Sequence, residues 1–292
     1  MTDTDRQTAP PPVARRVRIA AVSYLNTTPM IEGLQAWRES EVVTAVPARL
    51  AEMVVEGRAD IGLVSLADYA RAGADDAGNP LLTLLPCGMI GCDGPTLTVR
   101  VFSTVPLDRI TTLHADTDSH TSVVLAQLVL AEHHGVRPQV RDFHAREQLG
   151  SGDDADAWPE TMLLIGDKVV TDSPPAVRYP YQIDLGEAWH AMTGLPFVYA
   201  VWMCRSDRAA DQEVRTAADL IDRQRRRNRM RLDSVITAEA ARRGWPGDLA
   251  RKYIGELLRF EVDDRAREAV GVFLEKAAGL GLLPQMRPLW AE

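Results

Sequence analysis

Cysteine is scarce in this chain. Cys87, Cys92 and Cys204 are its only three among 292 residues. Three thiols cannot build a disulfide framework, and no C-x-x-C spacing occurs, so a reducing compartment is expected. Positive charge is also in deficit: 33 Lys and Arg against 41 Asp and Glu leave a net charge of −8. A field of that sign argues against nucleic acid or an anionic membrane as partner, and any anionic ligand must be held by local groups. No apolar run of about eighteen residues occurs, so no membrane-spanning helix is expected. The N-terminal stretch MTDTDRQTAPPPVARR is polar and Pro-rich, without the apolar core of a secretory signal. Residues 1–15 therefore read as a flexible tail, and the protein as cytoplasmic.

Several catalytic signatures are missing too. The six histidines show neither H-x-x-x-H nor H-E-x-x-H spacing, so no metal site is expected. Without G-x-S-x-G an α/β-hydrolase is disfavoured, and without G-x-G-x-x-G a nicotinamide cofactor has little support. The segment GMIGCDGPTLT carries Gly88, Gly91 and Gly94, but no lysine–serine pair follows. It reads as a flexible connection with tight turns rather than a phosphate cradle. The one basic block, DRQRRRNRMR at 222–231, has no interleaved aromatics and reads as a solvated helix face. No cofactor is expected, and nothing in the sequence specifies an oligomeric state.

What is present is an ordinary globular composition, 46% apolar and 25% charged, in a chain long enough for a large core. VRIAAV (17–22) reads as a buried strand, and Pro29 opens a helix through Trp37. VVTAV (42–46) is a second strand. ARLAEMVVEG (48–57) has Leu50, Met53 and Val54 at helical spacing, with Gly57 as its C-cap. IGLVSL after Asp60 is a third strand. This alternation predicts an α/β layered domain with a largely parallel sheet. Further strands are expected at 96–104, after Ile110, near 139–143, at 161–167 and at 196–204. A polar segment, GSGDDADAWPE, interrupts them. LGEAWHAMTG is a helix ended by Gly194, and residues 208–285 are mostly helical. The long strands near 96–104 and 196–204 each lie between blocks of alternating elements. They predict a chain that leaves one lobe, builds a second and returns, with a ligand cleft between. The first lobe would comprise 16–102 plus 201–292, and the second 103–200.

Three junctions carry candidate chemistry. At DTDSHTSVV (116–124) hydroxyls crowd the start of an apolar helix, where N–H groups lack partners and the dipole is positive. Asp118 or Ser119 can cap. Thr121 and Ser122 then either complete a capping cluster or add donors for a bound carboxylate or phosphate. SYLNTTP follows the first strand at its C-terminal end, the edge where open α/β sheets bind ligands. There Tyr24 offers an aromatic wall, while Asn26 either binds ligand or shapes the turn. LIGDKVV puts Asp167 and Lys168 at a strand end, as catalytic groups or as a turn with a solvated lysine.

Together VSYLNTTPMIEGL (22–34), PARLAEMVVEGRADIGLVSLADYA (47–70), GPTLTVRVFSTVPL (94–107), DTDSHTSVVL (116–125), LLIGDKVV (163–170) and DLGEAWHAMTGLPFVYAVW (184–202) resemble the chorismate dehydratase family of the futalosine route to menaquinone. The resemblance covers about residues 17–205 in unbroken order. It implies a type II periplasmic-binding-protein fold, α/β and two-lobed with two crossover strands, used as a cytoplasmic enzyme. The implied substrate is chorismate, converted to 3-[(1-carboxyvinyl)oxy]benzoate and water without a cofactor. Ring carbon 3 loses a proton and ring carbon 4 loses hydroxide, and aromatisation drives the elimination. Asn26 and Thr98 are implied as catalytic residues. Ser23, Tyr24, Ser119, His120, Thr121, Ser122 and Asp167 are implied in substrate binding, with the helix start gripping a carboxylate that gains charge. The sequence departs from the family at Thr98, where serine is usual, at His120, where arginine is usual, and at Asp93. The rival readings are 1,4-dihydroxy-6-naphthoate synthase, the sister enzyme of that route, and a non-catalytic small-anion binding protein.

Overall fold

The computed structural model describes residues 16–116, 118–144 and 158–292. The expected tail at 1–15, Thr117 and most of the polar segment at 150–160 lie outside the described residues. Among the described residues eleven strands run in chain order: β1 (Val17–Ala21), β2 (Ser40–Thr44), β3 (Ile61–Ser65), β4 (Leu82–Cys92), β5 (Val99–Ser103), β6 (Thr112–Asp116), β7 (Gln139–Phe143), β8 (Thr161–Ile165), β9 (Tyr181–Asp184), β10 (Phe197–Arg205) and β11 (Leu258–Arg259). They form two sheets, ordered β11-β4-β10-β3-β1-β2 and β7-β6-β8-β5-β9.

Both sheets are mixed rather than largely parallel. β1 pairs parallel with β2 and β3, whereas β10 runs antiparallel between β3 and β4. In the second sheet β6 pairs parallel with β7 and β8, and β5 is antiparallel to β8 and β9. A strand entering from the other lobe approaches from the opposite direction, and periodicity within one strand does not report that. The chain changes sheet between Cys92 and Val99, and again between Asp184 and Phe197. The lobe boundaries expected at 102/103 and 200/201 fall inside β5 and β10, the strands adjoining these crossings.

The element sequence explains most of the local structure. Helix Pro47–Val55 buries Leu50, Met53 and Val54, and Gly57 follows it at φ +70°. Helix His120–His134 is capped by Ser119, whose Oγ accepts from the Ser122 amide, and Gly135 ends it in the left-handed region. The expected helix from Pro29 to Trp37 is broken. It runs only over Thr28–Ile31, Gly33 turns the chain at φ +86°, and a 3-10 turn follows at Leu34–Ala36. Gly33 has a second reason to be glycine: a Cβ there would lie 2.6 Å from Gln224 Nε2.

The glycines at 88 and 91 are not a flexible connection but part of β4, a strand inside the sheet. A Cβ on Gly91 would sit 2.6 Å from the Phe197 carbonyl, so glycine here permits a close backbone approach. The basic block is only partly solvated. Helix Gln212–Met230 exposes Arg226 and Arg229 but buries Gln224, Arg225 and Asn228. Gln224 and Asn228 donate to the Glu32 carbonyl at 2.7 and 2.8 Å, which holds the helix against the first lobe. The TGLPF stretch has a packing role: Trp189 donates to the Pro196 carbonyl at 2.9 Å, and its ring meets Phe197 edge-on at 5.3 Å. No helix among the described residues is long and apolar enough to cross a membrane.

Candidate active site

A cleft of about 830 Å³, counting space open to solvent, lies between elements of the two sheets. From the first lobe it is lined by Tyr24, Asn26, Ser65, Tyr199 and Tyr253, and from the second by Ser119, Ser122, Asp167 and Lys168. Thr96 and Thr98, on the crossing between β4 and β5, complete it.

Asn26 reaches the cleft because the chain tightens after β1. Leu25–Thr27 forms a 3-10 turn, with Thr27 fully buried. Thr27 Oγ1 lies 2.7 and 2.9 Å from the Tyr24 and Val22 carbonyls and accepts from the Tyr24 amide. Leu25 is buried with Trp245, Tyr253 and Ile254. Anchored on both sides, the turn presents Asn26 to the same cleft as the Tyr253 side chain. Asn26 Oδ1 itself is buried without a hydrogen-bond partner. Thr98 Oγ1 donates to the same Tyr253 hydroxyl at 2.7 Å. Tyr253 stacks on Trp245 at 5.2 Å, and burial pushes its hydroxyl well above the ordinary phenol range. It therefore stays protonated and neutral, a hydrogen-bonding group rather than a base.

Across the cleft, helix His120–His134 points its N-terminus inward. Ser119 and Ser122 hydroxyls lie 2.9 Å apart there. Lys168 is buried at 5% exposure, and its ammonium contacts Asp116 and, at 2.8 Å, Asp118. Burial pushes the Asp116 carboxyl above the usual range, and Lys168 pulls against it. The alternative of a solvated lysine is thus excluded. With Lys168 already matched by two carboxylates, a bound anion meets mainly neutral donors: helix N–H groups, hydroxyls and the Asn26 amide. Fixed dipoles of this kind stabilise charge without ionic partners, because they need no reorganisation when charge develops.

The crossings are tied together by one carboxylate. Asp184 accepts from the amides of Thr96 at 2.9 Å and Leu97 at 2.7 Å, and also from Gly186 and Glu187. Leu97 takes φ +73°, a conformation costly for a branched side chain.

A family model described as menaquinone biosynthesis matches residues 17–279. The chain belongs to the menaquinone biosynthesis family. Within reach of this family, the chorismate dehydratase of Thermus thermophilus is 29% identical over 283 residues, covering 91% of this chain and 96% of that protein. Among solved structures, a protein of Archaeoglobus fulgidus is similar at TM-score 0.70 and 16% identity, covering 92% of this chain and 98% of its own. A Candida albicans protein with the generic periplasmic-binding-protein fold follows at TM-score 0.65 and 14% identity, covering 93% and 92%. The alkanesulfonate-binding protein SsuA of Xanthomonas axonopodis pv. citri, bound to MOPS, has TM-score 0.64 and 13% identity, covering 95% and 96%. The expected two-lobed periplasmic-binding-protein-like fold is therefore the fold of this member of the menaquinone biosynthesis family.

Of the residues singled out in sequence, Tyr24, Asn26, Thr98, Ser119, Ser122 and Asp167 line one cleft. Ser23, His120 and Thr121 do not. Ser23 is exposed, and its carbonyl accepts from Arg243 at 2.7 Å. His120, where arginine is usual, turns to Asp68 with Nδ1 2.6 Å from its carboxylate. Thr121 is fully buried and accepts from the Ala67 amide at 3.0 Å. Both partners lie in helix Leu66–Ala72 after β3, so these two residues fasten the second lobe to the first. They turn away because a helix start projects successive side chains in different directions, and only some face the cleft. Tyr253 and Tyr199 escaped sequence reading. Tyr253 sits in a helical tail without a recognisable motif, in a π-helical turn at Lys252–Leu257. Tyr199 reads as one apolar strand residue among nine. The adjacency of Lys168 to Asp167 was the signal that could have placed it in the cleft.

Proposed function

We propose that this protein is a chorismate dehydratase, a cytoplasmic hydro-lyase that converts chorismate to 3-[(1-carboxyvinyl)oxy]benzoate and water. The observation that carries the reading is that Asn26 and the hydrogen-bonded pair of Thr98 and Tyr253 line the same cleft as Ser119 and Ser122 at the start of helix His120–His134. The similarity to the Thermus enzyme, also a chorismate dehydratase by name, supports it.

The reaction needs two things of the site. It must fix a dianion against an unfavourable net charge, and it must stabilise electron density that flows into the ring carboxylate. The C3–H bond breaks, its electrons pass through the conjugated system, and the C4–O bond then breaks to release water. The helix N–H groups with Ser119 and Ser122 grip the carboxylate that gains charge. Asn26, a poor base, holds the substrate by its amide, beside the Thr98–Tyr253 hydroxyl pair. The proton acceptor is a carboxylate of the bound substrate itself. Alignment in a closed cleft replaces much of a stronger base's driving force.

Purified protein incubated with chorismate is expected to release an aromatic product, followed by its ultraviolet absorbance. Asn26→Ala is expected to lower kcat by about 10²–10³-fold, the effect of removing one preorganised donor, with an unchanged melting temperature. Chorismate left intact by the native protein defeats the reading. Binding without product then identifies a binding protein, and absence of binding points to the sister synthase.

A further inference from the structure

A second cavity of about 990 Å³, counting space open to solvent, shares the Lys252–Leu257 turn with the cleft as a wall. Tyr253 lines the cleft, Ile254 and Gly255 line the second cavity, and Leu258 lines both. Single π turns are strained insertions that persist mostly at functional sites. Here the turn lets neighbouring residues face two different hollows.

The second cavity is built around four arginines: Arg225 and Arg229 from the basic block, Arg259 from β11 and Arg265 from helix Asp264–Gly279. Arg225 decides the argument. Its side chain is 6% exposed, and its Nε is buried without a hydrogen-bond partner. Asp222 takes one Nη at 2.7 Å. A buried guanidinium with an unmet donor is costly, because desolvation is not offset. Carboxylates reach its two Nη atoms but not its Nε. Asp263 caps helix Asp264–Gly279 through the Ala266 amide, and Asp93 pairs with Arg265 at 2.8 Å. Besides Asp222, Glu261 faces Arg225 at 3.9 Å and Arg229 at 3.3 Å, and it is largely exposed. Arg259 donates to the Glu256 and Leu258 carbonyls and has no carboxylate partner among the described residues. The remaining wall is apolar, with Ile254, Leu258 and Phe260.

We infer that this second cavity binds a small organic acid, a planar carboxylate on an apolar body, which displaces Glu261 from between Arg225 and Arg229. Guanidinium forks match planar oxyanions in two-point contact, and the apolar wall favours an anion that carries an apolar body. The inference stands apart from the proposed reaction, since its readout is binding alone.

Benzoate serves as the probe, titrated into the full-length protein by calorimetry. Arg229→Ala is expected to weaken binding by about tenfold, the loss of one charge-assisted pair. Glu261→Gln, which removes the competing carboxylate, is expected to tighten it several-fold. Asn26→Ala, in the other cavity, is expected to leave it unchanged, and benzyl alcohol is expected not to bind. The inference is overturned by absence of benzoate binding, by an affinity that neither Arg229→Ala nor Glu261→Gln moves, or by loss of the site in Asn26→Ala. Inorganic phosphate binding as tightly as benzoate overturns the assigned ligand class. All these substitutions lie on exposed or half-buried side chains, and a melting curve for each variant establishes that it folds.

Discussion

Asp184→Ala tests how the two crossings are held. The Asp184 side chain is 2% exposed and accepts four backbone amides, from Thr96, Leu97, Gly186 and Glu187. Two of these bonds tie the first crossing, and two cap the helix that begins the second. A hydrogen bond to a charged acceptor contributes about 1.5–3 kcal/mol, and a lost N-cap costs about 1 kcal/mol. The helix amides at Gly186 and Glu187 are counted once, as a cap, because water can replace part of what they lose. The two crossing amides are counted in full. The expected destabilisation is then about 4–7 kcal/mol, a large part of the roughly 5–15 kcal/mol that holds a typical domain. Asp184→Asn, which keeps one acceptor oxygen, is expected to lose about half as much. Urea unfolding followed by tryptophan fluorescence reads this as a lower midpoint at unchanged slope. The loss has a local component as well, because Leu97 at φ +73° persists only while its amide is held. An Asp184→Ala protein within about 1 kcal/mol of the wild type refutes the account of the crossings.

Three further outcomes are expected. Gly186→Ala would place a Cβ 2.6 Å from both Cys92 Sγ and the Gly94 carbonyl, so overpacking should cost about 1–3 kcal/mol and lower the melting temperature; an unchanged melt contradicts this. Burial raises the thiols of Cys92 and Cys204 to about 12 and that of Cys87 further, so an aromatic disulfide reagent should label none of them until denaturant is added. Asp116, raised by burial, keeps its proton to higher pH in the folded state than in the unfolded chain. Stability therefore falls as pH rises from the ordinary carboxylate range through the raised value, and Asp116→Asn should flatten that fall. Melting temperatures that track pH in parallel for the variant and the wild type would exclude it.

The alternating order of elements, the Ser119 cap, the Gly57 and Gly194 stops and the two-lobed plan were legible in sequence. Each rests on local chemistry: apolar period, a hydroxyl before a helix, a residue free to adopt positive φ. Local reading singled out Asn26, Ser119 and Asp167, the family resemblance added Thr98, and the fold brings them to one cleft. Local reading failed where the deciding contact lies far along the chain. Glycines 88 and 91 read as loop because the Phe197 carbonyl that crowds Gly91 is over a hundred positions away. Sequence left Lys168 open between a catalytic group and a solvated turn residue, because its partner Asp116 belongs to a different strand.

By itself, then, the sequence determined most of the helices and strands and which helix start would be rich in donors, since these follow from neighbours within a turn or two. Only the tertiary structure decided that His120 and Thr121 fasten the lobes, that Tyr253 meets Thr98 in the cleft that Asn26 lines, and that Arg225 is buried beside an open hollow. The physical reason is that side-chain direction and burial are set by what packs against an element, and packing partners are chosen by the crossings of the chain rather than by its local pattern.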